Sequence, residues 1–242
     1  LPALGITRLE EWRKGVSRAD GLCLVCGPTG SGKTTTLNAT LRELDRFGRS
    51  IYTVEDPVEY HLPYIGQVTI NPAVGLDFSR AIRAFMRADP NVIVLGEIRD
   101  EETSRNMARA AETGHLVLAT LHTGSIRGAV QRLQDLGVDA RELRYLLRCV
   151  LVQRLIRVYC AHCRGAGCPR CLGTGYGART IVSECAYFHD EGTVSRMLDG
   201  ERFWPSIVED AVMKYRQGLT SKREIERVFG GEVQRLLEES DG

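Results

Sequence analysis

Residues 27–34 read Gly27-Pro28-Thr29-Gly30-Ser31-Gly32-Lys33-Thr34, a G-x-x-x-x-G-K-T stretch between the apolar run 22–26 and a segment with Leu37, Leu41 and Leu44 at helical spacing. That order, strand then glycine loop then helix, separates a phosphate-binding loop from a chance glycine-rich turn. Glycines let successive N–H groups turn toward one centre, Lys33 supplies a mobile ammonium, and the Thr34 hydroxyl is a Mg²⁺ ligand at a helix N-terminus that favours anions. The candidate nucleotide-binding residues are therefore Gly27, Pro28, Thr29, Gly30, Ser31, Gly32, Lys33, Thr34 and Thr35, and Gly48 is placed to end the helix that follows.

The chain has 242 residues, 43% of them apolar, enough for one large domain with a small appendage. A formal net charge of +1 removes any global argument for nucleic-acid or membrane attraction. The longest apolar runs, 91–95 and 116–121, are of strand length and too short to span a bilayer. No signal peptide is visible, and a first residue Leu1 in place of Met implies a piece of a longer chain with a part before it. Eight cysteines fall into two kinds. Cys160, Cys163, Cys168 and Cys171 form a C-x2-C-x4-C-x2-C cluster, which beside a nucleotide loop argues for metal in a reducing compartment and a cytoplasmic location. Cys23, Cys26, Cys149 and Cys185 sit in apolar or mixed runs; Cys23 and Cys26, three apart on a strand, point to opposite faces and read as buried apolar residues.

Four strand-like runs, 22–26, 51–54, 92–95 and 116–120, alternate with helical patterns, the mark of a parallel sheet covered on both sides. Residues 71–75 read as loop and 77–88 as a helix carrying Arg80, Arg83 and Arg87 on one stripe. Residues 141–159 are expected to form a helix burying Leu143, Leu146, Leu147, Val150 and Leu151. Glycine-rich 165–177 reads as turns, and short helices follow residue 190, the last two starting near Ser221 and Glu232. The expected division is an α/β core over 1–159, a metal knuckle over 160–179 and a helical C-terminal part over 180–242.

Cleavage of a γ-phosphate needs Mg²⁺, a carboxylate that orients water, and cations for the developing charge. Glu97, after the run 92–95, stands at the carboxyl end of a core strand, where open α/β sheets bind ligands, and is the first choice for that carboxylate. Glu55, Asp56 and Glu59 follow another strand and can hold Mg²⁺ through waters; the alternative is a solvated acidic turn started by Asp56-Pro57. His115 and His122 flank the run 116–120, and either can be a hydrogen-bonded structural histidine; His122, at the phosphate end, is placed to sense the γ-phosphate. Arg83 and Arg87 are either solvated charges or cations that reach the phosphates of a neighbouring subunit. The four clustered thiolates suit a closed tetrahedral Zn²⁺ site, with His162 as a substitute ligand; a reduced, metal-free turn is the alternative.

Taken together, GPTGSGKTTTL, VEDPVEY (54–60), NVIVLGEIRDEET (91–103) and TGHLVLATLHT (113–123) resemble, in order, the Walker A, aspartate, Walker B and histidine boxes of the type II secretion and type IV pilus assembly ATPases. The resemblance covers nearly the whole chain and implies the C-terminal ATPase domain of such proteins: a RecA-like P-loop core, a homohexamer, and ATP hydrolysis with Mg²⁺ that does work on inner-membrane platform proteins. It implies Glu97 as the catalytic glutamate, with Lys33 and His122 beside it and Gly96 where most P-loop enzymes have aspartate. It also implies nucleotide contacts from Arg83, Arg87 and Arg179, zinc at the cysteines, and a location at the inner membrane through partners. Residues 213–229 are similar to the family's last helices. Two features depart from the pattern: only four residues separate the C-x2-C pairs, and Gly177-Ala178 stand where the family has arginine then glycine. Two rivals belong to other classes. One is a RecA-fold DNA motor contacting DNA through Arg80, Arg83, Arg87 and the arginine-rich segment 141–157, which near-neutral charge and the lack of an aromatic platform oppose. The other is a chaperone-like module, from the twin CxxCxGxG units that resemble the Hsp40 zinc region.

Overall fold

A computed structural model describes residues 1–233. The strands are β1 (Gly21–Cys26), β2 (Ile51–Glu55), β3 (Gly66–Thr69), β4 (Val92–Leu95), β5 (Leu116–Leu121), β6 (Leu147–Tyr159) and β7 (Tyr176–Tyr187). They form one sheet in the order β3-β2-β4-β5-β1-β6-β7, parallel throughout except for the antiparallel β6–β7 pair at one edge. The helices are α1 (Leu9–Val16), α2 (Lys33–Glu43), α3 (Phe78–Phe85), α4 (Glu101–Glu112), α5 (Ile126–Asp135), α6 (Ala140–Leu146), α7 (Glu191–Leu198), α8 (Ile207–Arg216) and α9 (Lys222–Phe229).

The four strands read from apolar runs are present, and the complete burial of β1, β4 and β5 follows from apolar clusters on both faces of the sheet. Cys23 belongs to one cluster and Cys26 to the other, as alternation along β1 requires. On the face covered by α1 and α2, fully buried Trp12 donates its indole N–H to Thr40 Oγ1 at 3.0 Å. Asp77, Asp100, Ser125, Asp139, Ser206 and Ser221 cap α3, α4, α5, α6, α8 and α9.

One expectation is overturned: residues 141–159 are not a single helix. α6 stops at Leu146 and the chain continues as the long strand β6. Leu143, Leu146, Leu147, Val150 and Leu151 match helical spacing, yet Val150, Val152 and Ile156 face one apolar cluster while Cys149, Leu151 and Leu155 face the other. A run apolar on both faces satisfies either period, and the sheet, which offers partners on both sides, decides it. Helix α2 ends at Glu43 and not at Gly48. The boundary expected after residue 179 falls inside β7, and residues 160–175 form the connection between β6 and β7. The helix expected from near Glu232 runs outside the described residues.

Polar contacts join the C-terminal helices to the sheet. Asp210 of α8 accepts Ser183 N–H at 2.7 Å and pairs with Lys214 at 2.8 Å; Lys214 Nζ also donates to the carbonyls of Gly5 and Ile181. Glu224 of α9, fully buried, is bonded by the N–H and Nε of Arg157 and by Nε of Arg227. Burial works to raise its carboxyl, but the hydrogen bonds from Arg227 and Arg157 outweigh burial and bring it down to about 2. A depressed carboxylate contributes stability above its ordinary value of 4.5 and loses that contribution as the pH falls from there toward 2. Glu224→Gln is expected to cost about 2 kcal/mol at neutral pH and to flatten the acid limb of the stability curve. Denaturant melts at neutral and acid pH check this, and an unchanged slope would contradict it.

Candidate active site

Because β1, β2, β4 and β5 run parallel, their carboxyl ends share one edge, and loops far apart in sequence meet there. They line a cavity of about 570 Å³. Thr29, Gly30, Ser31, Gly32, Lys33, Thr34 and Thr35 come from the loop and α2; Glu55 ends β2, with Asp56 and Glu59 after it; Glu97 follows β4; His122 follows β5; Arg179 reaches in from β7. Gly27 is buried at the loop's root, and Pro28 lines a smaller recess with Arg154 and Arg227. Helix α2 starts at Lys33 behind a left-handed Gly32, so its first N–H groups, which lack intrahelical partners, stand at the cavity wall.

Lys33 Nζ arches back onto the carbonyls of Gly27 and Pro28, at 2.9 and 3.2 Å. Burial pulls its ammonium below the ordinary lysine value, while the nearby Glu97 opposes that shift. His122 lies between the lysine and the glutamate: its Nδ1 is 3.4 Å from Lys33 Nζ and its Nε2 is 3.0 Å from Glu97 Oε1. An ammonium only donates, so Nδ1 is the acceptor and Nε2–H points to the carboxylate. The other oxygen of Glu97 accepts from Arg99, Nε at 2.7 Å and Nη2 at 2.6 Å, and Arg99 also reaches Asp56 at 3.4 Å. The Glu97 hydrogen bond raises the guanidinium of Arg99 further above its ordinary value. Glu55 is held by Thr53 Oγ1 and Gln67 Nε2 at 2.7 and 3.1 Å.

Gly96 has a steric reason. A Cβ there would lie 3.2 Å from both Glu55 Cα and the Val54 carbonyl, so a side chain would press on the backbone of β2 and shift it by a few tenths of an ångström. The Gly96 carbonyl is fixed by Thr120 Oγ1 at 2.5 Å, which holds the turn that presents Glu97.

Not every candidate reaches this cavity. Arg83 bonds Ser79 and Glu102 at 2.7 and 2.5 Å, joining α3 to α4, and neither it nor Arg87 lines the cavity of the single chain. His115 lies at the opposite end of β5, bonded to the Ala110 carbonyl and to Thr113 at 2.8 and 3.0 Å, which is a structural role. Arg99 escaped the sequence reading although it stands two residues after Glu97. Gln153 escaped it because its segment was read as helix. Three of the arginines offered as DNA contacts are engaged within the fold: Arg148 with Asp20, Arg154 with the Val228 carbonyl and Arg157 with Glu224. A larger cleft of about 980 Å³ lies at the other edge of the sheet, lined by Arg18, Glu112, Tyr145 and His189 among others, and has no phosphate-binding loop.

Cys160, Cys163, Cys168 and Cys171 bring their sulfurs within 4.8 Å of one another. The Cys163–Cys171 and Cys168–Cys171 separations of 3.7 Å match the ~3.8 Å edge of a tetrahedron with Zn–S bonds of about 2.3 Å. The short spacer closes because Gly167 packs on the Gly173 carbonyl, which a Cβ would approach to 2.8 Å. Burial works to raise the Cys171 thiol, but N–H bonds from Cys168 and Gly175 to its sulfur outweigh it and bring it down to about 6, as suits a thiolate ligand.

A phosphate loop at the head of a mostly parallel sheet, with a glutamate and a histidine facing its lysine, defines a RecA-like P-loop nucleotide-binding protein. The chain belongs to the family described as type II/IV secretion system protein, which matches residues 3–227. It is 40% identical to the type II secretion system ATPase E of Vibrio cholerae, over 94% of this chain and 52% of that protein. It is 36% identical to the type IV pilus assembly ATPase PilB of Thermus thermophilus, over 89% of this chain and 28% of that one. The chain thus spans about half the length of the type II relatives it matches. Among solved structures it is similar to the pilus retraction motor PilT with bound ADP, with a TM-score of 0.77 and 28% identity over 98% of this chain and 68% of that one. Among the described residues no helix is long and apolar enough to cross a membrane.

Proposed function

We propose that this chain is the ATP-hydrolysing part of a type II secretion or type IV pilus assembly motor, working as a homohexamer on inner-membrane platform proteins from the cytoplasmic side. The observation that carries the reading is the convergence of Lys33, His122 and Glu97 within hydrogen-bonding reach at the mouth of the phosphate loop. In that arrangement Lys33 and the loop amides bind the phosphates, and Thr34 with the carboxylates of Glu55, Asp56 and Glu59 would hold a Mg²⁺ that would offset the phosphate charge. Glu97 orients the attacking water, and His122 ties its position to that of Lys33. Arg179 completes the wall on the subunit's own side, while Arg83 and Arg87, outside this cavity, serve a neighbouring subunit's nucleotide. The test is Mg²⁺-dependent ATP hydrolysis by the full-length protein, measured with its oligomeric state by sedimentation. Absence of nucleotide binding in a folded hexamer would defeat the proposal.

The four cysteines fit a structural Zn²⁺ that ties the end of the β6–β7 hairpin and takes no part in hydrolysis. Purified protein is expected to contain about one zinc ion per chain, lost together with thermal stability in Cys163→Ser. Elemental analysis and thiol titration decide it: metal-free protein with four reactive thiols at these positions would remove the site.

A further inference from the structure

We propose that Gln153 is a positioning residue that sets the geometry of the phosphate loop, a role that rests on reading this loop as a nucleotide cradle. Strand β6 runs parallel to β1 with Val152 opposite Cys26, so Gln153 lies where β1 gives way to the loop and β6 continues. Its side chain is fully buried. Its Nε2 donates to the Ser31 carbonyl at 2.7 Å, and its Oε1 accepts from Thr36 Oγ1 at 2.8 Å. A carbonyl only accepts, so the amide nitrogen must face Ser31, which leaves the amide oxygen for the Thr36 hydroxyl. Thr36 is itself fully buried, and its carbonyl accepts the Thr40 hydroxyl at 2.8 Å.

The consequence for the loop follows from peptide geometry. In a trans peptide the C=O and N–H point in opposite directions. Pinning the Ser31 oxygen against β6 therefore aims the Gly32 N–H away from β6, and Gly32 lies on the cavity wall. The loop's other end rests on the same residue, since a Cβ on Gly27 would lie 2.3 Å from the Gln153 carbonyl oxygen. One residue of β6 thus braces both ends of the cradle without touching the ligand. Its strand continues to Tyr159, beside the cysteine knuckle, and is paired through Arg157 with Arg179, which lines the same cavity.

Three variants test this in the full-length protein. Gln153→Met keeps the volume and removes both polar ends, Gln153→Glu keeps the acceptor for Thr36 but removes the donor to Ser31, and Thr36→Val removes the bond that orients the amide. Mg·ADP affinity is measured by calorimetry, ATP hydrolysis by steady-state kinetics and stability by thermal melts. Both Gln153 variants are expected to weaken Mg·ADP binding by about tenfold or more, with KM for ATP rising in step while kcat stays within about threefold. Thr36→Val is expected to weaken it about threefold, with no further loss when it is added to Gln153→Met. Unchanged affinity in the Gln153 variants beside normal wild-type binding would overturn the role, as would additive losses in the double variant. If neither Gln153 variant folds, Thr36→Val alone decides, and wild-type affinity in it would overturn the role. Wild-type protein that binds no Mg·ADP would instead overturn the nucleotide reading itself.

Discussion

Glu97→Gln is expected to bind nucleotide as the unaltered protein does while its turnover falls by roughly 10²- to 10³-fold. The carboxamide has nearly the volume of the carboxylate, so the turn held by the Thr120–Gly96 contact need not move. The negative charge is lost, and with it the ability to orient water and take up its proton. Arg99 and His122, which now share that carboxylate, lose an anionic partner, and Arg99 is freed to approach the phosphates. Nucleotide affinity should therefore hold within about threefold or rise slightly. Single-turnover hydrolysis beside a Mg·ATP titration measures both quantities, and undiminished turnover would remove Glu97 from its role.

Lys33→Ala should act on the other parameter. The ammonium bonds the Gly27 and Pro28 carbonyls and is drawn below its ordinary pKa by burial, so it is poised to exchange weak neutral partners for phosphate oxygens. Charge-assisted bonds of that kind are worth about 1.5–3 kcal/mol. Nucleotide affinity is expected to fall roughly 100-fold. Stability should drop by no more than about 1 kcal/mol, because loss of the bonds to the Gly27 and Pro28 carbonyls and to His122 Nδ1 is offset by relief of a partly buried charge. Calorimetric titration with thermal melts separates the two effects. Wild-type affinity in a folded Lys33→Ala protein would show that phosphate binding depends on backbone alone.

Much of this site was legible in the order of residues because its parts are local. The phosphate loop is one contiguous stretch, and Glu97 and His122 each follow a run whose burial on both faces marks a core strand. Once the strands are parallel, their ends must share an edge, and the site assembles. The longest strand was hidden for the opposite reason. Segment 147–159 carries apolar residues at both helical and strand spacing, and only its neighbours β1 and β7 distinguish the two. Gln153 was hidden with it, since a residue placed on a helix face cannot be seen to brace a loop more than a hundred positions earlier. Arg83 shows a further limit: its spacing on α3 was read correctly, but its bond to Glu102 depends on where α4 packs.

The Asp210–Lys214 pair bears on how the chain can be cut. A truncation ahead of α8 would not shed a dispensable tail: it would strip the Ser183 N–H and the Ile181 and Gly5 carbonyls of their partners and uncover the sheet edge beneath. The amino-terminal turn would come loose at the same stroke, since Lys214 bonds Gly5 and Thr7 donates to Asp210. Residues 5–7 and helix α8 are thus tethered through one ionic knot, and damage at either should be felt at the other.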